Sequence, residues 1–421
     1  MEAREGYKKT ELGWIPEDWE VKKLGDLLKA KPEYGANASA VQHISERTYR
    51  YIRITDINDD GKLNPNSIVG ILKEDGENYV LKKYDLLIAR TGNTVGKSFL
   101  YLDDQVDCSY AGYLIRFRID KSKYNIFLLY HILHSTIFWG WVKSILRVGA
   151  QPNINAKEYQ NFLIPLPPLP EQQKIAEILT TVDDKISSIE DRIQQTEQLK
   201  KGLMEKLLTE GIGHTEFKDT EIGRMPVSWD VVQIKDIGNV ITGNTPPTSN
   251  KLNYNNGIRM WASPADLGLF KYVKETKTKI SASGFEQTRK LPKNSLLITC
   301  IGSTIGKIGI AFEEMSSNQQ INAIVCKDNH YDCDFYYYVI SRISPKIKQL
   351  SATQAVPIIN KTEFSNIVIP KAPFPEQKQI ASILSTVDDK LDILHSKKSG
   401  YETLKKGLME QLLTGKRRVK V

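Results

Sequence analysis

The sequence is short of cysteine: Cys108, Cys300, Cys326 and Cys333 are the only four in 421 residues, too few and too scattered for a disulfide framework. Cys326, His330 and Cys333 lie close together, but no fourth ligand stands at a familiar spacing, so no metal is expected. Long apolar runs are also missing. No stretch of about eighteen apolar residues occurs, and Met1-Glu2-Ala3-Arg4-Glu5-Gly6 has no apolar signal core, so neither a membrane span nor an export signal is read and a cytoplasmic location is expected. Catalytic signatures are absent too. No Ser-His-Asp arrangement can be assembled, and His131 and His134, on an apolar stretch without further ligands, read as core or surface histidines.

Two glycine-rich stretches invite a nucleotide-binding reading and do not sustain it. Thr91-Gly92-Asn93-Thr94-Val95-Gly96-Lys97-Ser98 has three residues between its glycines where a phosphate-binding loop has four, and Gly302-Ser303-Thr304-Ile305-Gly306-Lys307-Ile308 lacks the Ser or Thr after its lysine. Both read as glycine-pinned turns between strands, whose polar tip and lysine can still face DNA. Asn244-Thr245-Pro246-Pro247-Thr248 departs from the Asn/Asp-Pro-Pro-aromatic signature of amino-methyltransferases by an extra threonine and a missing aromatic, and reads as a turn.

What the chain does have is repetition. Glu171-Gln172-Gln173-Lys174-Ile175-Ala176 returns as Glu376-Gln377-Lys378-Gln379-Ile380-Ala381, and Thr181-Val182-Asp183-Asp184-Lys185 as Thr386-Val387-Asp388-Asp389-Lys390, at a constant offset of 205. Ile175, Leu179, Val182, Ile186, Ile189 and Ile193 step alternately by four and three, as do Ile380, Leu384, Val387, Leu391 and Leu394, the spacing of a coiled-coil seam. Pro170 suits a first helical turn, and each copy has an acidic residue directly behind its proline, where the helix dipole favours it. Two helices of about 39 residues, each roughly 58 Å long, are expected. The Asp-Asp-Lys triplets should lie on their solvated face, opposite the seam.

The large segments repeat as well. Thr10-Glu11-Leu12-Gly13-Trp14-Ile15-Pro16-Glu17-Asp18-Trp19 returns, at an offset of 210, as Thr220-Glu221-Ile222-Gly223-Arg224-Met225-Pro226-Val227-Ser228-Trp229. The same offset places Tyr51 against Trp261, and Gly92, Gly96 and Lys97 against Gly302, Gly306 and Lys307. Residues 51–57, 86–90, 98–102 and 113–119 read as strands, and 125–146 and 335–350 as helices, giving a mixed α/β (α+β) class. The expected division is a first domain at 1–165, a helix region at 166–212, a second domain at 213–370, a second helix region at 371–415 and a basic tail at 416–421, frayed and solvated. Proline runs at 165–170 and 370–375 should act as stiff connectors. If the helices pair, they must be antiparallel with one domain at each end, around an approximate internal two-fold axis.

A formal charge of +8 admits a polyanionic partner without requiring one. The amide-rich loops before each long helix, 147–155 and 351–361, can offer paired hydrogen bonds to adenine edges or can brace their own backbone. On polarity and loop placement, Arg90, Asn93, Lys97, Arg147, Gln151 and Asn155 are assigned to a DNA face of the first domain, and Ser303, Lys307, Gln319, Gln320, Gln354 and Asn360 to that of the second. Val356 falls where Gln151 would be, so the two loops are not expected to read alike.

Gly13-Trp14-Ile15-Pro16-Glu17-Asp18-Trp19 with its degenerate copy, the twice-used Gly-x-x-x-Gly-Lys turn, and the run from Pro165-Leu166-Pro167-Pro168-Leu169-Pro170 into Glu171 together resemble the DNA-specificity subunit of type I restriction–modification systems, over nearly the whole chain. The resemblance implies two target recognition domains, each reading half of a split DNA site, and two helices that set the unread gap and dock two methyltransferase subunits. Motor-nuclease subunits complete such an enzyme. Adenine-N6 methylation, S-adenosylmethionine, ATP, Mg and DNA cleavage then belong to the partners, and this chain is expected to be non-catalytic with no cofactor of its own. Two other classes compete: a protein–protein adaptor with no DNA preference, and an enzyme with a cryptic site. The adaptor predicts salt-insensitive behaviour, whereas a DNA reader loses affinity steeply with salt through counterion release.

Overall fold

The structure, a computed structural model, describes residues 5–103, 106–146, 152–268, 270–327, 330–350 and 357–420. The chain divides into two compact units, Met1–Ser188 with Lys398–Val421, and Ile189–Lys397, so the division falls inside both long helices. Those helices run Leu169–Leu207 and Phe374–Leu412, with 39 residues each. No helix among the described residues is long and apolar enough to cross a membrane.

Both units are mixed α/β. The first carries a four-stranded sheet ordered Glu33–Tyr34, Leu114–Phe117, Leu86–Ala89, Ser98–Leu100, and a three-stranded sheet ordered Gly70–Leu72, Thr48–Ile52, Cys108–Tyr110. The second carries a five-stranded sheet ordered Gly238–Thr242, Ile321–Cys326, Leu296–Thr299, Ile308–Ala311, Tyr272–Val273, and a three-stranded sheet ordered Lys279–Ile280, Arg259–Ala262, Ser316–Ser317. The strands predicted at 86–90 and 98–102 are present, and the turn between them holds Gly92 and Gly96 at φ of 70° and 90°. The copy holds Gly302 and Gly306 at 92° and 90°, conformations open to glycine and costly for other residues.

Some predicted elements are broken. The expected helix at 125–146 is two, Ile126–Leu133 and Thr136–Ile145, because Ser135 sits at the second N-cap position and turns its hydroxyl back onto the Ile132 carbonyl at 2.7 Å. The expected strand at 51–57 is Thr48–Ile52 followed by a 3-10 turn, in which Asp56 accepts from the Arg53 amide. The proline connectors begin as short strands: Leu163–Leu166 pairs antiparallel with Glu20–Lys23, and Val368–Lys371 with Asp230–Gln233.

In each unit the globular part and both helices share one core. Trp19, Ile88, Phe117, Leu128 and Ile132 cluster with Ile175 and Leu179 from the first helix and Met409, Leu412 and Leu413 from the end of the second. In the other unit Trp229, Ile298, Ile324 and Phe335 cluster with Leu207, Leu208, Ile380 and Leu384. Burying an aliphatic side chain of this kind contributes about 1.5–3 kcal/mol. Val182, Ile186, Ile189, Ile193, Leu391 and Leu394 are buried, and Val387 is half-buried.

The acidic residue at each helix start does more than meet the helix dipole. Glu171 is buried and accepts from the Trp19 indole at 3.1 Å, and Glu376 accepts from the Trp229 indole at 2.9 Å. The following glutamine ties helix to loop: Gln172 accepts from the Asn125 amide and donates to the Pro167 carbonyl, while Gln377 accepts from the Asp332 amide and donates to the Ala372 carbonyl.

Two sequence expectations are corrected here. The basic tail is not a frayed end at Arg418, which donates to both Glu171 oxygens at 2.8 Å and to Asp18 at 2.7 and 2.9 Å. The guanidinium offsets part of the cost of burying the Glu171 charge. Nor do the Asp-Asp-Lys triplets lie wholly on a solvated face. Asp183 pairs with Lys405 at 2.6 Å, and Asp388 with Lys200 at 2.6 Å, because each first aspartate directly follows a seam residue and faces the neighbouring helix.

Candidate nucleic-acid interface

Each unit brings its glycine turn against the stretch that precedes a long helix. In the first, the Gly92 amide donates to the Pro152 carbonyl at 3.0 Å and the Ile154 amide to the Arg90 carbonyl at 2.8 Å. In the second, the Gly302 amide donates to the Pro357 carbonyl at 2.9 Å and the Ile359 amide to the Cys300 carbonyl at 2.9 Å. Two regions far apart in sequence thus form one polar edge in each unit.

A third strand end joins that edge. The Arg90 amide donates to the Tyr113 carbonyl at 3.0 Å, and the Cys300 amide to the Gln320 carbonyl at 2.8 Å. A fourth segment closes over it, where Gly35 and Gly243 lie so close to the carbonyls of Tyr110–Ala111 and Ser317–Asn318 that a Cβ at either would overlap backbone oxygen. The residue after each glycine is held by an aromatic donor, Tyr51 to the Ala36 carbonyl at 2.8 Å and Trp261 to the Asn244 carbonyl at 3.1 Å.

Onto this frame the sequence places different side chains. In the first unit Arg90 lies over the Tyr34 ring, 4.9 Å from its centroid, Asn93 is exposed, and Tyr113 is 60% exposed. Lys97 is occupied, pairing with Asp59 at 2.7 Å and donating to the Ile57 carbonyl at 3.4 Å. In the second unit Ser303 and Gln319 are exposed, and Lys307 and Gln320 half-buried. Gln319 accepts from the Thr245 hydroxyl at 2.6 Å and Gln320 from the Asn318 amide at 2.9 Å, so each amide side chain is oriented by a neighbour. Asn155 and Asn360 cap the short helices Ala156–Gln160 and Lys361–Ser365, accepting from the amides of Glu158 and Glu363. That leaves only their NH2 groups for any other partner. Arg147, Gln151 and Gln354 lie outside the described residues.

Tyr34, Tyr113 and Arg289 of this edge escape the sequence reading; Asn153 stands in its amide-rich loop 147–155 without being singled out, and Asn244 stands there only as part of a turn. Asn244 donates to the Gln287 carbonyl and accepts from the Arg289 amide, both at 2.8 Å, and Arg289 reaches the Thr242 carbonyl at 2.6 Å. Their signal was the pair Gly35 and Gly243, whose offset of 208 matches neither repeat offset. Among the described residues no cluster of three or more His, Cys, Asp or Glu could hold a metal ion.

The family model for the type I restriction modification DNA specificity domain matches residues 16–198 and 226–400. The chain belongs to that family. It is 31% identical, over 99% of its length and 97% of the relative's, to the putative type I restriction enzyme MjaX specificity subunit of Methanocaldococcus jannaschii. It is 28% identical, at the same coverage, to the MjaVIII specificity subunit of that organism. In fold it is similar to the type I restriction–modification S subunit of M. genitalium, with a TM-score of 0.64 at 15% identity, covering 94% of this chain and 96% of that one. This specificity subunit serves DNA-sequence recognition in a type I restriction–modification system; the adaptor alternative draws no support from its relatives.

Proposed function

We propose that the two units each read one half of a split, asymmetric DNA site, and that the two long helices set the unread gap between the halves. The observation that carries this reading is the common frame with unlike side chains: arginine and tyrosines on one edge, amides and a second arginine on the other. The globular regions 1–165 and 213–370 are the target recognition domains, and 166–212 and 371–415 the spacer. Support for an antiparallel coiled-coil spacer around an internal two-fold comes from the recurring seam and from the reciprocal ion pairs, Asp183 with Lys405 and Asp388 with Lys200. On a duplex, where a helical turn is roughly 34 Å, the length of such a spacer governs half-site spacing.

The chain works without a cofactor of its own, in the cytoplasm. Two methyltransferase subunits dock on the helices and supply S-adenosylmethionine chemistry at adenine N6, and motor-nuclease subunits supply ATP- and Mg-dependent cleavage. One of the similar solved chains, at a TM-score of 0.52 and 17% identity, comes from work on complex assembly of a type I system.

The deciding measurement maps N6-methyladenine in a host expressing this chain with its neighbouring methyltransferase, against the same host lacking only this chain. Methylation at a split asymmetric motif only when the chain is present is the expected result. An identical pattern in both hosts, with active methyltransferase, would sink the proposal.

A further inference from the structure

The side chains around Arg90 are arranged differently from those of the other cations on either edge. Its guanidinium lies over the Tyr34 ring, and its Nε donates to Asn153 Oδ1 at 3.4 Å. Tyr34 is itself fixed, since its hydroxyl accepts from the Ala156 amide at 3.1 Å. Asn153 is fixed by the bridge between its backbone and that of Thr91. Among the described residues nothing takes the two Nη groups. Lys97 beside it is spent on Asp59.

A guanidinium held by one face and by Nε presents its two Nη groups together as a planar fork. That fork matches the O6 and N7 acceptors of guanine in the major groove, and neither adenine, cytosine nor thymine offers two acceptors side by side there. Holding the fork in place beforehand removes part of the ordering cost of binding. We infer that Arg90 is a specificity-determining residue that reads a guanine in the half-site of the first recognition domain, with Tyr34 and Asn153 as its positioning residues.

The second unit has Cys300 at the equivalent backbone position, buried to 1% exposure, so it cannot make this contact. This contact therefore belongs to the half-site of the first domain alone. This inference rests on the DNA-reading role proposed above, and its test separates the two.

The experiment maps N6-methyladenine motifs produced by the assembled methyltransferase carrying wild-type chain, Arg90→Ala, Arg90→Lys, Tyr34→Phe or Tyr34→Ala. Wild type is expected to show an invariant guanine that becomes degenerate in Arg90→Ala, with the other half-site and the gap unchanged. Tyr34→Phe, which keeps the ring but loses its bond to the Ala156 amide, should relax the guanine less than Tyr34→Ala, which removes the ring. If Arg90→Ala abolishes methylation, the assembled Arg90→Lys complex is titrated with duplexes carrying each of the four bases at that position. Preference for guanine should then fall on the order of tenfold to a hundredfold. Equal weakening on all four duplexes would make Arg90 a phosphate contact and overturn the inference, as would a motif unchanged in Arg90→Ala. A wild-type complex with no split motif would instead remove the recognition role itself.

Discussion

The two units solve the same attachment problem with different chemistry. In each, a buried glutamate at a helix start accepts from a fully buried tryptophan indole. In the first unit the remaining lone pairs go to Arg418, which also grips Asp18. In the second they go to the Ile212 amide and the His214 ring at 2.8 and 2.9 Å. Geometry is kept while the hydrogen-bond partners change, and the polar edges differ in the same way: backbone contacts recur, but the side chains they carry do not. A duplicated fold can thus hold its frame and change what it presents.

The strongest way to break this comparison is to remove an indole. Trp19→Ala and Trp229→Ala should each cost about 3–5 kcal/mol through the cavity alone, with a further loss for the buried carboxylate left without its donor. Hydrogen exchange should localise the damage, Trp19→Ala loosening the first unit and Trp229→Ala the second. Equal loosening of both units by either variant would show that the two are not separate cooperative bodies.

Acid should separate the units next. His131 in the first unit and Tyr338 in the second occupy matching places, beside Asp183 with Lys405 and beside Asp388 with Lys200. Burial, reinforced by Lys405, pushes the His131 pKa down to about 3, and its Nδ1 has no hydrogen-bond partner. Burial pushes the Tyr338 hydroxyl up instead, so it stays neutral in acid. A histidine held neutral in the fold and free to protonate when unfolded contributes stability that is intact above its ordinary value of 6.5 and drains as pH falls toward about 3. The slope for this one group approaches about 1.4 kcal/mol per pH unit. Denaturant midpoints between pH 7 and 4 should therefore fall less steeply in His131→Leu than in wild type. Parallel curves would show that His131 protonates freely in the fold.

These details mark where the sequence stops being legible. The long helices could be read because a four-three apolar step has one physical meaning, and the glycine turn because its spacing survives in both copies. Trp19 and Glu171 were both visible as motifs, but nothing local says that residues 152 positions apart share a hydrogen bond. Arg418 read as a solvated tail because its partners, Asp18 and Glu171, are remote in sequence. At the polar edge the strand-end pairings bring 34, 90, 113 and 153 together, and those depend on sheet order. Asn155 and Asn360 illustrate the reverse difficulty: an exposed amide before a short helix serves as a cap as readily as a base contact, and both are engaged as caps here.

The smallest expected difference concerns the ion pairs themselves. Asp388 is 12% exposed and accepts from both Lys200 at 2.6 Å and Tyr338 at 2.5 Å, whereas Asp183 is 31% exposed and has the lysine alone at hydrogen-bonding distance. Solvent screens the second pair more than the first. Asp388→Asn should cost about 1–2 kcal/mol, because the half-buried lysine and the buried phenol both lose a charged acceptor. Asp183→Asn should cost less than about 1 kcal/mol. Raising salt should narrow the deficit of Asp183→Asn more than that of Asp388→Asn, since the more accessible carboxylate is the more open to screening ions. Equal deficits, equally salt-sensitive, would mean that Tyr338 adds nothing and that the two pairs are equivalent after all.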